Sequence, residues 1–240
     1  MNIAAIIPAR GGSKAIPRKN LLDFCGKPLM VWSIQQARGS RYVDSVFVSS
    51  DDSKILTVAQ KAGAKPILRP KKLAGDKSSA EDALLHALDK IERCQQKKVD
   101  AVVFLQATSP LRTSKDIDQA IGTFISEKAD SLFSVSALAD CCLWQKNGRK
   151  LESLAYDYRN RGRRQDRKPL FLENGSIYIF KPRVLRRFRN RLGGKIVMHF
   201  MPIWQSHEID EPDDVELCRY YMTKNILRSP TKAKAKGGSK

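Results

Sequence analysis

The chain has 240 residues, of which 42% are hydrophobic, and its formal net charge at pH 7 is +19. This length predicts one large domain with a real core. No apolar run approaches the roughly 18 residues of a membrane span, and the first residues lack a signal-peptide pattern, so we expect a cytoplasmic protein. The five cysteines form no CxxC pair, which favours reduced thiols, and with three histidines a zinc site is not expected.

Strand-like and helix-like segments alternate along the chain. Short apolar runs predict strands at 3–7, 43–49, 66–68, 100–105, 131–137, 175–180 and 196–200. Helical spacing of apolar residues predicts helices at 28–38, 53–62, 79–93, 114–127 and 212–224. Capping-box spacing relates Ser78 to Glu81 and Thr113 to Asp116. The alternation predicts an α/β fold with a mostly parallel sheet and helices on both faces.

Ligands of such sheets bind beyond the carboxyl ends of the strands, so the expected functional loops are 8–20, 49–52 and 106–113. The first of them holds Arg10, Gly11, Gly12, Ser13 and Lys14. Two glycines allow close approach of the backbone and two cations supply charge, which suits a polyphosphate. An ordinary surface loop with solubilising charge is the alternative.

Residues 139–172 interrupt the alternation with a polar, arginine-rich stretch, which predicts a lid, a dimerisation arm or both. A mobile insertion without a role is the alternative. Cations also concentrate in 159–168, in 181–195 and in a lysine-rich tail from 228, which we expect to be disordered. Nucleic-acid binding competes with a basic surface for solubility, anionic substrates or a partner. No nucleic-acid-binding motif accompanies the charge, which favours the second interpretation.

Two polar groups flank predicted strands of the sheet. Gln106 follows the fourth strand and suits an uncharged polar ligand, while Arg112 either reaches an anion or braces its loop. Glu173, Asn174 and Tyr178 accompany an Asn-Gly step at the sheet edge, where a simple turn is the alternative.

A run of acidic residues precedes and begins the last predicted helix. Glu208 and Asp210 point the same way in an extended segment, as carboxylates that hold Mg²⁺ with substrate phosphates would. Asp213 and Asp214 fall in the first turn of the helix, where acids oppose the helix dipole. We expect the first pair to serve the metal and the second pair the helix.

Six sequence blocks in this order carry a family resemblance: IPARGGSK with IPRKNL, VSSDD, LRP with AGD and SS, LQATSPLR, RRQD with ENGSIYIF, and HEIDEPDD. Together they resemble the acylneuraminate cytidylyltransferase family, the CMP-sialic acid synthetases, over residues 1 to about 225. The resemblance implies an α/β nucleotidyltransferase (Rossmann-like) domain over 1–227. It also implies that 139–172 is a small dimerisation excursion, with 228–240 as a tail.

The resemblance further implies an enzyme that uses CTP and Mg²⁺ to activate a 2-keto-3-deoxy sugar acid. The anomeric hydroxyl attacks the α-phosphate, and the products are a CMP-sugar and pyrophosphate. A homodimer without membrane attachment is implied as well. Activation of legionaminate, pseudaminate or 3-deoxy-manno-octulosonate is the alternative within enzymes. A catalytically inactive relative that binds nucleic acid is the alternative outside them.

The resemblance assigns roles by position. It implies that the catalytic residues are Arg10, Lys14 and Asp210. It implies that the nucleotide is bound by Arg10, Ser13, Lys14, Asn20, Arg69 and Ser79. It implies that the sugar acid is bound by Gln106, Arg164, Gln165 and Tyr178, and the metal by Glu208 and Asp210. The sequence departs from the family at Ala80, where relatives often have a hydroxyl, and at Glu208, where many have Asp.

Overall fold

The computed structural model describes residues 1–75, 78–138, 142–166 and 168–228. The predicted tail lies outside the described residues except for Arg228, and so do four positions of the predicted excursion. Within the described ranges, no helix is both long enough and apolar enough to cross a bilayer.

The described residues form eleven strands and six α-helices. The strands are β1 Ile3–Pro8, β2 Asp23–Phe24, β3 Lys27–Pro28, β4 Ser45–Ser50, β5 Lys65–Leu68, β6 Ala101–Leu105, β7 Ser131–Leu138, β8 Trp144–Asn147, β9 Lys150–Ser153, β10 Leu170–Phe180 and β11 Ile196–Phe200. The helices are α1 Leu29–Arg38, α2 Ser53–Lys61, α3 Ala80–Gln95, α4 Ser114–Ser126, α5 Pro182–Phe188 and α6 Pro212–Tyr221. Short 3-10 turns lie at Lys19–Leu21, Lys71–Leu73, Arg164–Asp166 and Ile203–Ser206, and a π-helix at Met222–Leu227 follows α6.

Seven strands form the central sheet, in the order β11-β7-β10-β6-β1-β4-β5. All of them run parallel except β10, which pairs antiparallel with both of its neighbours. The carboxyl ends of six strands therefore share one edge, and β10 begins at that edge. The predicted α/β class with a mostly parallel sheet is confirmed.

Helices cover both faces of the sheet, as the alternation predicted. Alternate residues of β1 enter different apolar clusters: Ile3, Ala5 and Ile7 pack with α1, α2 and α4. Ala4 and Ile6 pack with α3 and α5 on the opposite face. Each buried strand thus contributes to two cores, which explains why these strands are apolar at successive positions.

A third apolar cluster lies beside the sheet and attaches the end of the chain to its beginning. Ile209 and Val215, from α6 and the segment before it, pack there with Ile16, Phe24 and Trp32. The backbone N–H of Ile209 also donates to the carbonyl of Thr108 at 2.8 Å. These contacts hold the segment before α6 against the edge at which the parallel strands end.

Three details differ from the sequence predictions. The cap of α3 is Ser79, whose hydroxyl accepts from the Asp82 N–H, whereas Ser78 bonds to the carbonyl of Lys72. The segment 182–188 forms α5, which was not predicted because its basic residues mask a short apolar face. β10 starts at Leu170, so the predicted excursion 139–172 ends inside a sheet strand, and it also contains the β8–β9 hairpin.

A buried arginine ties the loop after β6 to the rest of the fold. The guanidinium of Arg112 is fully buried and donates to the carbonyls of Ser109, Gln106 and Ser176 at 2.6–3.0 Å. It also donates to the hydroxyls of Ser33 and Ser176. Burial lowers the pKa of Arg112 to about 9, against the charges of Glu208 and Asp116. Of the two roles considered for Arg112, the structure shows the brace.

We expect Arg112→Ala to lower the free energy of unfolding by about 3–5 kcal/mol, because it leaves several buried acceptors without their charged donor. Chemical denaturation measures the change. Arg41→Ala is the matched control: Arg41 is 76% exposed, and its ion pair with Asp118 lies on the surface. Its loss costs under about 1 kcal/mol. Similar losses in both variants would contradict the bracing role.

Candidate active site

A pocket of about 530 Å³ opens at the carboxyl edge of the sheet, between the ends of β1 and β6. The chain proceeds from β1 to β4 and β5 on one side and to β6 on the other, so this is the point at which the strand order reverses. Ligands of open α/β sheets bind at such a point. Among the residues singled out from the sequence, the pocket is lined by Arg10, Ser13, Lys14, Asn20, Arg69, Ser79, Gln106 and Asp210.

The loop after β1 is held in place from two sides. The backbone N–H of Gly11 donates to Asp51 at 3.0 Å, and the Asn20 amide donates to the carbonyl of Arg10 at 2.9 Å. A Cβ at Gly11 would lie 2.9 Å from the Cβ of Asp52, so this position excludes a side chain unless the neighbour shifts. Loop 49–52 therefore supports the pocket from behind, and its aspartates are not among the described lining residues.

Arg69 stands out among the lining residues because it is buried without full hydrogen bonding. It is 6% exposed, and its Nε and Nη2 atoms are buried with no hydrogen-bond partner among the residues that the structure describes. Burial lowers the pKa of Arg69, although the charge of Asp51 acts in the opposite direction. Buried donors of this kind are costly unless a ligand satisfies them.

The first turn of α3 forms another wall of the pocket through Ser78, Ser79 and Ala80. The Ser79 hydroxyl accepts from the backbone N–H of Asp82 at 3.0 Å. This cap uses a lone pair of the oxygen, so the hydroxyl proton can be donated to a ligand.

Beside the pocket, a glycine in the middle of β10 allows two polar groups to approach this strand. Gly175 has φ +65°, and its carbonyl accepts from the Gln106 amide at 3.0 Å. A Cβ at Gly175 would collide with the carboxylate of Glu208 and with the Gln106 amide. Burial raises the pKa of Glu208, and so does the nearby charge of Asp210, while Arg112 and Lys19 oppose the shift.

The acidic segment before α6 meets the basic loop after β1. Asp210 lines the pocket and forms an ion pair with Lys19 Nζ at 2.8 Å, although 191 positions separate the two residues. Asp214 accepts from the backbone N–H groups of Asp210 and Glu211, which fixes the turn into α6. Asp214 lies in the first turn, where it caps the helix.

The donor set near this segment fits Mg²⁺. The described residues contain no group of three or more His, Cys, Asp or Glu side chains placed to enclose an ion. Mg²⁺, however, needs only one or two carboxylates together with substrate phosphates. Asp210 faces the pocket and its charge raises the pKa of Glu208, so a divalent cation between them would relieve their mutual repulsion.

Four other predicted residues are placed differently. Glu208 and Tyr178 are not among the described lining residues: Tyr178 is 4% exposed, and its hydroxyl donates to Glu173 at 2.5 Å. Gln165 is exposed in the 3-10 turn Arg164–Asp166. The side chain of Arg164 lies outside what the structure describes.

The lining residues to which the sequence analysis assigned no role include Lys19 and Phe104. Lys19 belongs to the basic run that ends in Asn20, and its charge was the available signal. Phe104 is the fourth residue of a buried strand, and an apolar residue in that position carries no signal of a site.

The basic cluster 181–195 is occupied by internal ion pairs. Lys181 and Arg183 pair with Asp130, and Lys195 pairs with Glu127. The remaining pairs join α5 and the residues after it to α3 in antiparallel order: Arg186 with Asp89 and Glu92, Arg189 with Asp82, and Arg191 with Glu81. These contacts assign this cluster to the fold.

Comparison with known proteins supplies the family. A family model described as cytidylyltransferase matches residues 4–226. The chain is similar to pseudaminic acid cytidylyltransferase of Campylobacter jejuni, with 44% identity over 137 residues, which are 57% of this chain and 59% of that protein. It is also similar to N-acylneuraminate cytidylyltransferase A of Danio rerio, with 35% identity over 213 residues, which are 87% of this chain and 48% of that protein.

The similarity thus spans about half of the length of these curated relatives. A solved structure of CMP:2-keto-3-deoxy-manno-octonic acid synthetase complexed with CTP has a TM-score of 0.68 and 20% identity, with coverage of 93% of this chain and 99% of that one. That likeness concerns the fold, and it agrees with the mostly parallel sheet described above. The family match extends from β1 through α6, and on this ground the chain belongs to the cytidylyltransferase family.

Proposed function

We propose that this protein transfers CMP from CTP to the anomeric hydroxyl of a sialic acid-like 2-keto-3-deoxy sugar acid and releases pyrophosphate. The observation that carries the proposal is the meeting of two distant segments in one pocket. The basic loop after β1 and the acidic segment before α6 join there through Lys19 and Asp210. A nucleoside triphosphate with its divalent cation needs both kinds of group in one place.

The pocket divides by chemistry. Arg10, Ser13 and Lys14 surround the part suited to the triphosphate, where cations and a hydroxyl oppose phosphate charge. Arg69 and the capped Ser79 present donors suited to the acceptors of a cytosine base. Gln106, held by the carbonyl of Gly175, is placed for the sugar acid.

Displacement at the α-phosphate requires charge stabilisation and alignment more than a covalent side-chain intermediate. We assign Arg10 and Lys14 to the negative charge that accumulates on the phosphate oxygens. Asp210, with Glu208 behind it, is the group we propose for Mg²⁺. When bound, the ion neutralises phosphate charge and orients the leaving pyrophosphate.

Pseudaminate is the second candidate substrate. The relative with 44% identity is named for pseudaminic acid, although that similarity covers 57% of this chain. N-acylneuraminate relatives match 87% of the chain at lower identity. The two acids differ in stereochemistry and acyl groups, and the sugar-facing side chain described here, Gln106, is compatible with either.

We further propose a homodimer that works in the cytoplasm, where CTP is made. Exposed apolar side chains cluster at the β11 edge of the sheet: Ile196, Met198 and Phe200 lie 36–55% exposed on one side of the strand. The Phe171 ring of β10 contacts the Phe200 ring, with centroids 5.2 Å apart. We propose that a second copy of the chain covers this surface, because an apolar patch of this kind is unfavourable when it is exposed to water.

The function is tested by incubating the protein with CTP or UTP, Mg²⁺ and a panel of 2-keto sugar acids, with CMP-sugar read by mass. We expect product with CTP and a nine-carbon acid, and loss of product when EDTA removes the metal.

Lys14→Ala tests whether catalysis takes place in this pocket, and we expect this variant to have a rate about 10²- to 10³-fold lower. The absence of product with every acid would refute the proposed reaction. Near-normal turnover by Lys14→Ala would refute the assignment of Lys14 to catalysis.

We expect Arg69→Met to separate stability from binding. Because its buried donors lack partners in the free protein, the substitution leaves the free energy of unfolding unchanged or raises it. The dissociation constant for CTP rises by about 10- to 100-fold, as for a lost charged hydrogen bond. Calorimetry of CTP binding and denaturation of the free protein measure the two effects. A clear loss of stability with unchanged CTP affinity would make Arg69 a structural residue.

Phe200→Glu tests the homodimer. We expect this variant to elute as a monomer in size exclusion with light scattering, because a charge in an apolar interface is costly to bury. Leu68→Glu is the matched control, since Leu68 is 67% exposed on β5 at the opposite edge of the sheet. We expect Leu68→Glu to elute with the oligomeric mass of the unsubstituted protein. A monomeric unsubstituted protein, or equal masses for both variants, would contradict this interface.

A further inference from the structure

Arg191 contacts α3 and β6, which both contribute residues to the pocket lining, and also β10. Its guanidinium donates to Glu81 at 2.8 Å, and both side chains are about one-fifth exposed. The same guanidinium lies over the ring of Phe104, at 5.1 Å, and over the ring of Tyr178, at 4.8 Å. These two rings are stacked with centroids 5.4 Å apart. One cation thus joins α3, β6 and β10.

Two of the residues that Arg191 contacts lie in or next to the pocket lining. Glu81 is the second residue of α3, directly after Ala80, which lines the pocket next to the capping Ser79. Phe104 lines the pocket itself. The contacts of Arg191 with Glu81 and Phe104 therefore help to fix the position of the first turn of α3 relative to Phe104.

Arg191 differs from Arg186, which reaches α3 away from its first turn. Arg186 is 41% exposed and pairs with Asp89 and Glu92, more than one turn further along the helix. Its pairs fix the middle of α3 and contact no residue of the pocket lining. Ion pairs and cation–π contacts strengthen as water is excluded, so the half-buried Arg191 contributes more to local order than exposed pairs do.

We propose that Arg191 is a positioning residue for the nucleotide. It clamps the first turn of α3 against the Phe104–Tyr178 stack, so that Ser79 and Ala80 keep their place beside the base. This inference rests on the proposed use of CTP. It predicts a defect in nucleotide binding with little effect on the chemical step, because Arg191 does not line the described pocket.

The test compares Arg191→Leu with Arg186→Leu, which breaks ion pairs between α5 and α3 away from the pocket. We expect Arg191→Leu to raise KM for CTP about tenfold, with kcat and KM for the sugar acid within about twofold of their original values. Arg186→Leu leaves all three parameters unchanged. Arg191→Lys retains the charge opposite Glu81 and recovers most of the affinity for CTP. An unchanged KM in Arg191→Leu, or an equal rise in Arg186→Leu, would overturn the proposal.

Hydrogen exchange separates this inference from the proposed function. In the free protein, we expect backbone amides of residues 82–85 to exchange faster in Arg191→Leu but not in Arg186→Leu. Unchanged exchange in Arg191→Leu would overturn the clamp even if the enzyme uses CTP. If the unsubstituted protein neither binds nor consumes CTP, the proposed function and the nucleotide role fail together, and the exchange result still decides whether Arg191 orders this turn.

Discussion

The site depends on the apolar packing that brings the end of the chain to its beginning. Ile209 and Val215 are buried against Ile16, Phe24 and Trp32, and this cluster lies outside the two cores of the sheet. Without this packing, no strong interaction would keep Asp210 beside Lys19. An ion pair with one partner 66% exposed is too weak to close a separation of 191 residues. Hydrophobic burial positions the acidic segment, and the charges then meet.

Two buried arginines show how one residue type serves opposite purposes. Both terminal nitrogens of Arg112 donate to carbonyls and hydroxyls of the fold, and of its guanidinium only Nε has no partner among the described residues, so most of the cost of its burial is offset in the free protein. Arg69 is nearly as buried, but two of its nitrogens lack a partner. A fold retains such a residue when a ligand completes its hydrogen bonds. The contrast supports the proposed role of Arg69 in binding without reference to any relative.

Periodicity in the sequence predicted most of the framework, because buried parallel strands and amphipathic helices leave strong patterns. The spacing of Leu84, Leu88 and Ile91 fixed the place of α3, but it did not distinguish Ser78 from Ser79 as the cap. Either serine fits the local pattern, and the choice depends on where the preceding loop enters. α5 escaped prediction because basic residues mask its short apolar face, and the pairing of Arg186 with Asp89 and Glu92 of α3 is a tertiary contact that local sequence does not show.

The glycine-rich loop and the acidic pair were recognisable as candidate site residues because each is local in sequence. Their partners were not. Whether Arg112 braces a loop or reaches an anion depends on Ser33 and Ser176, which come from other elements. Tyr178 illustrates the same limit, since its strand position was predicted but its bond to Glu173 turns on the bulge between them.

The charge of the chain divides into parts with different physical meanings. Six of the seven cations in 181–195 form ion pairs within the fold, and the partners of Arg186, Arg189 and Arg191 follow along α3 in the reverse order. The basic stretch 159–168 directly precedes β10, whose first residues lie at the carboxyl edge of the sheet. If the site takes CTP and a sugar acid, as proposed, positive charge near it attracts both anions and raises their local concentration.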